Sequence, residues 1–221
     1  MSVWAILVAA GRGERLGSDQ PKAFVKLGEL PLLAEPLRRL DDSEWVDAVV
    51  VVAPAGWEEP AILLAEELGC AKVRACVAGG QTRAASVRAG LAEVPDDAAA
   101  VLVHDAARPL LSDDVIGRVL AGLAEGWDGV VPGLPISDTV KRVASDGGVE
   151  ETVSRDGLWT VQTPQAFLVD SLRRAVASGA DATDCAGLVE AGGGRVKVVP
   201  GDPLLLKVTT ADDLARVASL L

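Results

Sequence analysis

Short apolar runs alternate with segments of helical period along this chain, and that alternation restricts the fold more than any other feature. Val3–Val8, Ala48–Ala53, Lys72–Val77, Ala98–Val103, Gly129–Pro132 and Arg195–Val199 read as strands. They are close to continuously apolar rather than alternating, as strands covered on both faces are. Between them, Leu32–Leu40, Ala61–Leu68, Arg83–Glu93 and Asp113–Glu125 carry apolar residues at helical spacing; in the third, Ala84, Val87, Leu91 and Val94 share one face. Strands of this kind separated by helices predict a three-layer α/β fold, Rossmann-like, with a mostly parallel sheet. The 221 residues fit one domain spanning 1–221, and no repeat or low-complexity linker interrupts them.

One segment departs from the alternation. Asp138–Ala144 and Val149–Ser154 are short, polar-alternating strands around Ser145-Asp146-Gly147-Gly148, a hairpin turn signal. This is a β-arm at about residues 136–158. A lone hairpin is marginal in water, so it packs on something: its own domain or a second subunit. Further on, Thr163-Pro164 reads as a helix start before Ala166–Ala177, with proline at the first helical position. Thr210-Ala211-Asp212-Asp213 resembles a capping box opening a terminal helix, with Asp in place of Glu or Gln.

Composition narrows the partners. Lys and Arg total 21 against 32 Asp and Glu, a net charge of −11, which opposes nonspecific binding to nucleic acid or to an anionic membrane. With five Trp, two Phe and no Tyr, a stacking platform for single strands is not expected. Cys70, Cys76 and Cys185 form no CxxC pair and His104 is the only histidine, so a zinc site lacks ligands and the cysteines read as reduced, buried small residues. Val3–Ala10 runs straight into Gly11-Arg12-Gly13 with no basic leader, which suits a buried strand better than a secretory core. No apolar run approaches the ~18 residues of a membrane span. A cytoplasmic protein is the expectation.

The cations gather in loops at strand ends, where parallel sheets bind ligands. Ala9-Ala10-Gly11-Arg12-Gly13-Glu14-Arg15-Leu16-Gly17 follows the first strand. Its glycines let backbone N–H groups approach phosphate oxygens, and Arg12 and Arg15 add charge. It is no Walker A loop, because Gly-Lys-Ser/Thr is missing. Pro21-Lys22 adds a lysine on a stiffened loop. Gly79-Gly80-Gln81-Thr82-Arg83-Ala84-Ala85-Ser86 again joins a strand to a helix, with Arg83 and Ser86 on one face near its positive end; the plainer reading is a helix capped by Thr82 or Gln81. His104-Asp105-Ala106-Ala107-Arg108-Pro109 puts a carboxylate at another strand end, suited to a ligand hydroxyl or Mg²⁺ or simply paired with Arg108. His104 reads as a hydrogen-bonded structural histidine rather than an acid or base.

Together these stretches resemble the 2-C-methyl-D-erythritol 4-phosphate cytidylyltransferase family. The likeness also takes in Asp138-Thr139-Val140-Lys141, Arg155-x-Gly157-Leu158-Trp159, Thr163-Pro164-Gln165 and Lys207-Val208-Thr209, and so runs nearly the whole chain. It implies an enzyme transferring CMP from CTP to methylerythritol phosphate, with Mg²⁺ held mainly by the CTP phosphates and also by Asp105. It implies that Ala9, Ala10, Gly11, Gly13, Gly80, Gln81, Arg83, Ser86, Asp105 and Ala106 hold the nucleotide, Ser86 and nearby backbone reading the cytosine. Arg15 and Lys22 would stabilise the transition state. Arg155 and Lys207 would position the acceptor, and Asp105, Arg108, Thr139 and Thr163 would line its pocket. It implies a homodimer through crossed arms, Thr139 and Arg155 completing the neighbour's site. Two positions depart from the family pattern: Cys185 follows Asp184 where an acid is common, and Leu205 stands where asparagine is frequent.

Three rivals frame that expectation. A ribitol 5-phosphate cytidylyltransferase shares the nucleotide half and differs in the acceptor. An NAD-linked oxidoreductase would want an acid closing the second strand to hold a ribose, and that strand ends Val52-Ala53-Pro54. A non-catalytic nucleotide-binding protein would bind CTP without releasing pyrophosphate.

Overall fold

The computed structural model describes residues 2–11, 13, 20–177 and 182–221. In chain order, β1 (Val3–Val8) is followed by a 3-10 turn (Lys22–Phe24) and the short pair β2 (Lys26–Leu27) and β3 (Leu30–Pro31). Then come α1 (Ala34–Asp42), β4 (Ala48–Ala53), α2 (Glu58–Glu67), β5 (Val73–Ala78), α3 (Arg83–Leu91), β6 (Ala100–Asp105), α4 (Asp113–Ala124) and β7 (Gly129–Pro135). The arm is β8 (Val140–Val143) and β9 (Val149–Val153). β10 (Trp159–Val161), β11 (Gln165–Leu168), α5 (Val169–Ala177), α6 (Cys185–Ala191), β12 (Val196–Pro200) and α7 (Ala211–Ala218) complete it.

The central sheet runs β10-β7-β11-β6-β1-β4-β5, with β12 also on β7. β1 lies parallel to both β4 and β6, β4 to β5, and β7 to β12, while β10 and β11 run antiparallel. Successive side chains of a strand point to opposite faces, and the core divides accordingly. Ala5 and Leu7 of β1 pack with Leu37 of α1, Leu64 of α2 and Ile116 of α4. Ile6, between them, packs with Val87 of α3, Leu172 of α5 and Leu188 of α6. This is the expected three-layer, mostly parallel α/β architecture.

Two expectations need correction. Pro164 does not start a helix; Gln165–Leu168 is a strand, because its backbone finds partners in β6 and β7 and Phe167 fills the core between β11 and α5. The helix begins only at Val169. Cys185 is buried, whereas Cys70 and Cys76, on and beside the edge strand β5, are only half-buried. The terminal capping box forms as expected: Thr210 Oγ1 accepts from the Asp213 N–H, and the Asp213 carboxylate accepts from the Thr210 N–H.

Candidate active site

Parallel strands joined by helices turn toward solvent at their carboxyl ends, and the loops beyond β1, β4, β5 and β6 enclose a cleft of about 810 Å³. The loop after β1 supplies Ala9, Ala10, Gly11 and Gly13, and Lys22 follows it. Gly13 has φ +70°, and a Cβ there would stand 2.6 Å from the Lys22 Cβ, so the close approach of loop and lysine needs glycine twice over. Beyond Lys22, Phe24 packs against Trp57 with ring centroids 4.5 Å apart and the planes tilted by 41°, and Trp57 itself lines the cleft.

Gly79, Gly80, Gln81, Arg83 and Ser86 form the adjoining wall. Thr82 caps α3, accepting from the Ala85 N–H at 3.1 Å. Ser86 Oγ accepts from the Gly80 N–H at 3.1 Å and donates to the Thr82 carbonyl at 3.0 Å. Its hydroxyl thus fixes the turn. A Cβ on Gly79 would overlap Ala10, so this turn and the first loop lie against each other as one surface.

Asp105 ends β6 and organises the charge. Arg83 Nε and Nη2 both donate to its Oδ1 at 3.2 Å, and Lys207 Nζ donates to its Oδ2 at 2.7 Å. Burial alone would raise the Asp105 carboxyl, but Arg83 and Lys207 outweigh it and hold it well below the usual carboxylate range. Arg83 Nη1 reaches further, to the Cys185 sulfur at 3.1 Å. Burial pushes the Cys185 thiol up, so Arg83 meets a neutral sulfur on that side. Among the described residues, the charged side chains lining the cleft are Lys22, Arg83, Lys207 and Asp105.

The donor set does not fit a resident metal. Both Asp105 oxygens are engaged by cations. Among the described residues no three His, Cys, Asp or Glu side chains gather as a cage.

Of the residues singled out in the sequence, Ala9, Ala10, Gly11, Gly13, Lys22, Gly80, Gln81, Arg83, Ser86, Asp105, Ala106 and Lys207 come together in this cleft. Arg12 and Arg15 lie outside the described residues. Arg108 and Thr163 stand behind the lining: Arg108 Nη1 donates to the Leu205 carbonyl at 2.7 Å, and Thr163 Oγ1 accepts from the Asp105 N–H at 3.1 Å. Leu205 is fully buried, so at this departure from the family pattern it is the backbone that meets Arg108. Thr139 and Arg155 are exposed on the arm and outside the lining, Arg155 donating to the Ser137 carbonyl. Sequence reasoning missed Trp57 and the Arg83–Cys185 contact. The one available signal was Trp57 in the loop that follows the strand ending at Ala53.

Comparison with known proteins identifies the family. The model of the 2-C-methyl-D-erythritol 4-phosphate cytidylyltransferase family matches residues 3–221. The chain is 50% identical over 228 residues to the protein of that name from Saccharopolyspora erythraea, covering 100% of each. With the one from Nocardia farcinica the identity is 48%, over 100% of this chain and 94% of the relative. Among solved structures, that of the Thermus thermophilus protein of the same name superposes with a TM-score of 0.81 at 34% identity, over 100% of this chain and 98% of the other. The Francisella tularensis structure gives 0.84 at 28% identity over 100% of both.

Proposed function

The chain belongs to the 2-C-methyl-D-erythritol 4-phosphate cytidylyltransferase family, and from that premise we propose that it transfers CMP from CTP to 2-C-methyl-D-erythritol 4-phosphate. The products are 4-diphosphocytidyl-2-C-methyl-D-erythritol and pyrophosphate, and the reaction serves non-mevalonate isoprenoid synthesis. The observation that carries the reading is the cleft itself: a carboxylate paired with Arg83 and Lys207, and Lys22 in the same lining, at the carboxyl ends of four parallel strands.

A phosphate oxygen of the acceptor attacks the α-phosphorus of CTP in line; the bond from that phosphorus to the bridging oxygen breaks, and pyrophosphate leaves with the electron pair. A phosphate monoester is already anionic near neutral pH, so no strong base is required. The barrier is the meeting of two polyanions. Lys22, with Arg15, offsets the charge growing at phosphorus. Backbone N–H groups from Ala10 to Gly13 hold the triphosphate; the N–H groups of Ala9 and Gly80 are committed to the Val52 carbonyl and Ser86 Oγ, and those two residues shape the wall against which the nucleotide lies. Gln81 and Ala106 border the nucleotide, while Asp105 serves both halves by orienting Arg83 and Lys207. Magnesium enters on the triphosphate as part of the substrate.

Lys207 and Arg108 belong to the acceptor side, with Thr163 behind them. Thr139 and Arg155 complete the site from the arm of a second copy. Val143 and Val149 on the arm are 53% and 61% exposed in the single chain, which supports a partner covering them. No helix among the described residues is long and apolar enough to cross a membrane; the reading places the enzyme in the cytoplasm, where CTP is. The test is pyrophosphate release from CTP and Mg²⁺ with methylerythritol phosphate or ribitol 5-phosphate. Turnover with the first acceptor alone is expected; turnover only with the second reassigns the acceptor, and none with either removes the function.

A further inference from the structure

The cleft's acceptor side is braced by one imidazole. His104, the only histidine of the chain, is fully buried one residue before Asp105. Its Nε2 stands 3.0 Å from the Arg108 carbonyl oxygen and its Nδ1 3.2 Å from Thr163 Oγ1. A carbonyl oxygen only accepts, so Nε2 carries the proton; in the neutral ring Nδ1 is then bare and must be an acceptor. The Thr163 hydroxyl supplies that proton, and the same oxygen accepts the Asp105 N–H. These bonds run in one direction, Asp105 N–H to Thr163, Thr163 O–H to His104 and His104 Nε2–H to Arg108 C=O, with the Thr163 carbonyl a further acceptor beside the ring. Buried networks satisfied in this way hold geometry more firmly than their separate bonds would.

We propose that His104, locked as the Nε2–H tautomer, is a positioning residue for the acceptor half of nucleotidyl transfer, fixing Asp105 and Arg108 from behind and through them Lys207. The proposal rests on the function given above. Asp105 Oδ2 holds Lys207 directly. Arg108 Nη1 holds the Leu205 carbonyl, two residues before Lys207, and the Val208 N–H donates to the Ala107 carbonyl. The 104–108 turn and the 205–208 segment are therefore tied on both sides of the lysine, with His104 at the base. It follows that the Thr163 hydroxyl proton is committed to the ring and does not reach an acceptor phosphate; Thr163 acts through Asp105.

Two measurements test this on the whole protein. With ¹⁵N-histidine labelling the single imidazole is read without assignment, and at pH 7 Nε2 carries the proton while Nδ1 is bare. Steady-state kinetics then compare wild type with Thr163→Val, Thr163→Ser and His104→Gln. Thr163→Val, which keeps the shape and loses the hydroxyl, raises the acceptor KM about tenfold and leaves that of CTP within about twofold, and His104→Gln acts in the same direction. Thr163→Ser restores the acceptor KM. A merely structural role would lower the active fraction and leave both KM values unchanged, and that result overturns the proposal. An Nδ1–H or doubly protonated ring at pH 7 overturns it too. Should His104→Gln fail to fold, the Thr163 pair decides. A wild type without turnover removes the functional reading and this proposal together; an active wild type with an unmoved acceptor KM in the Thr163→Val protein removes this proposal alone.

Discussion

Lys207 closes onto Asp105, Nζ to Oδ2 at 2.7 Å, across 102 positions of sequence. The other oxygen of the same carboxylate holds Arg83, so one buried group sets two cations on neighbouring sides of a cleft. The arrangement places a negative charge inside the cleft proposed above to take polyanions. Its benefit is direction: Arg83 and Lys207 would repel and swing apart without it.

Asp105→Asn therefore removes more than a charge. The amide keeps the volume but offers one acceptor where two cations were held. Turnover should fall about a hundredfold, the scale of losing one preorganised charge contact, with circular dichroism unchanged. An Asn protein with wild-type pyrophosphate release would show that the two cations do not depend on this carboxylate.

Lys22→Ala should retain the fold, because Lys22 lies in a short 3-10 turn whose buried members are Ala23 and Phe24. The expected loss in kcat is again about a hundredfold, roughly 3 kcal/mol of transition-state stabilisation. Gly13→Ala should approach it from the other side, since the new Cβ displaces the Lys22 stem and forces an unfavourable φ. Both variants are checked by pyrophosphate release and thermal melting. A Gly13→Ala protein that loses melting temperature but keeps kcat would mean that the loop shifts without disturbing the lysine.

Much of this was legible in the sequence, for a physical reason. A strand covered on both faces has to be apolar throughout, so Val3–Val8 and Ala48–Ala53 match the structure to the residue. A capping box is local, so Thr210 and Asp213 were readable as well. The failures lie where tertiary pairing overrides a local signal. Thr163-Pro164 carries a helix-start pattern, yet Gln165–Leu168 follows the hydrogen-bonding edge offered by β6 and β7. The contacts of Arg83 with Asp105 and Cys185 join positions 22 and 102 residues apart, and no spacing rule announces them. Trp57 was hidden differently: its value to the site comes from packing against Phe24, which only the fold brings near.

Acid should destabilise the protein in a defined window. Burial pushes His104 down to about 4 from its ordinary 6.5, against the hydrogen bond to the Arg108 carbonyl and the Asp105 charge, which raise it. The unfolded chain takes up a proton near 6.5 that the folded chain refuses, so the His104 contribution is complete above that pH and is lost as pH falls toward 4. Its size is at most about 3 kcal/mol. Asp105, held low, gives way in the same direction at still lower pH. Urea midpoints between pH 7 and 4 should fall steadily in the wild type and less in His104→Gln. Parallel curves for the two proteins would locate the sensitivity elsewhere.

The arm makes a prediction that no single chain can satisfy. If Arg155 serves the neighbour's site while Lys207 serves its own, Arg155→Ala and Lys207→Ala are each inactive as homodimers for different reasons. In a mixed dimer, one site has lost both residues and the other has kept both. Unfolding and refolding the two proteins together in equal amounts produces half mixed dimers, so activity should recover to about a quarter of wild type. Recovery should depend on exchange of subunits and vanish when the two are mixed without it. The exposed Val143 and Val149 should become protected from solvent in the dimer, readable by hydrogen exchange along β8 and β9. No recovery, with dimers present, would mean that each chain completes its own site. The exposed arm would then need another function.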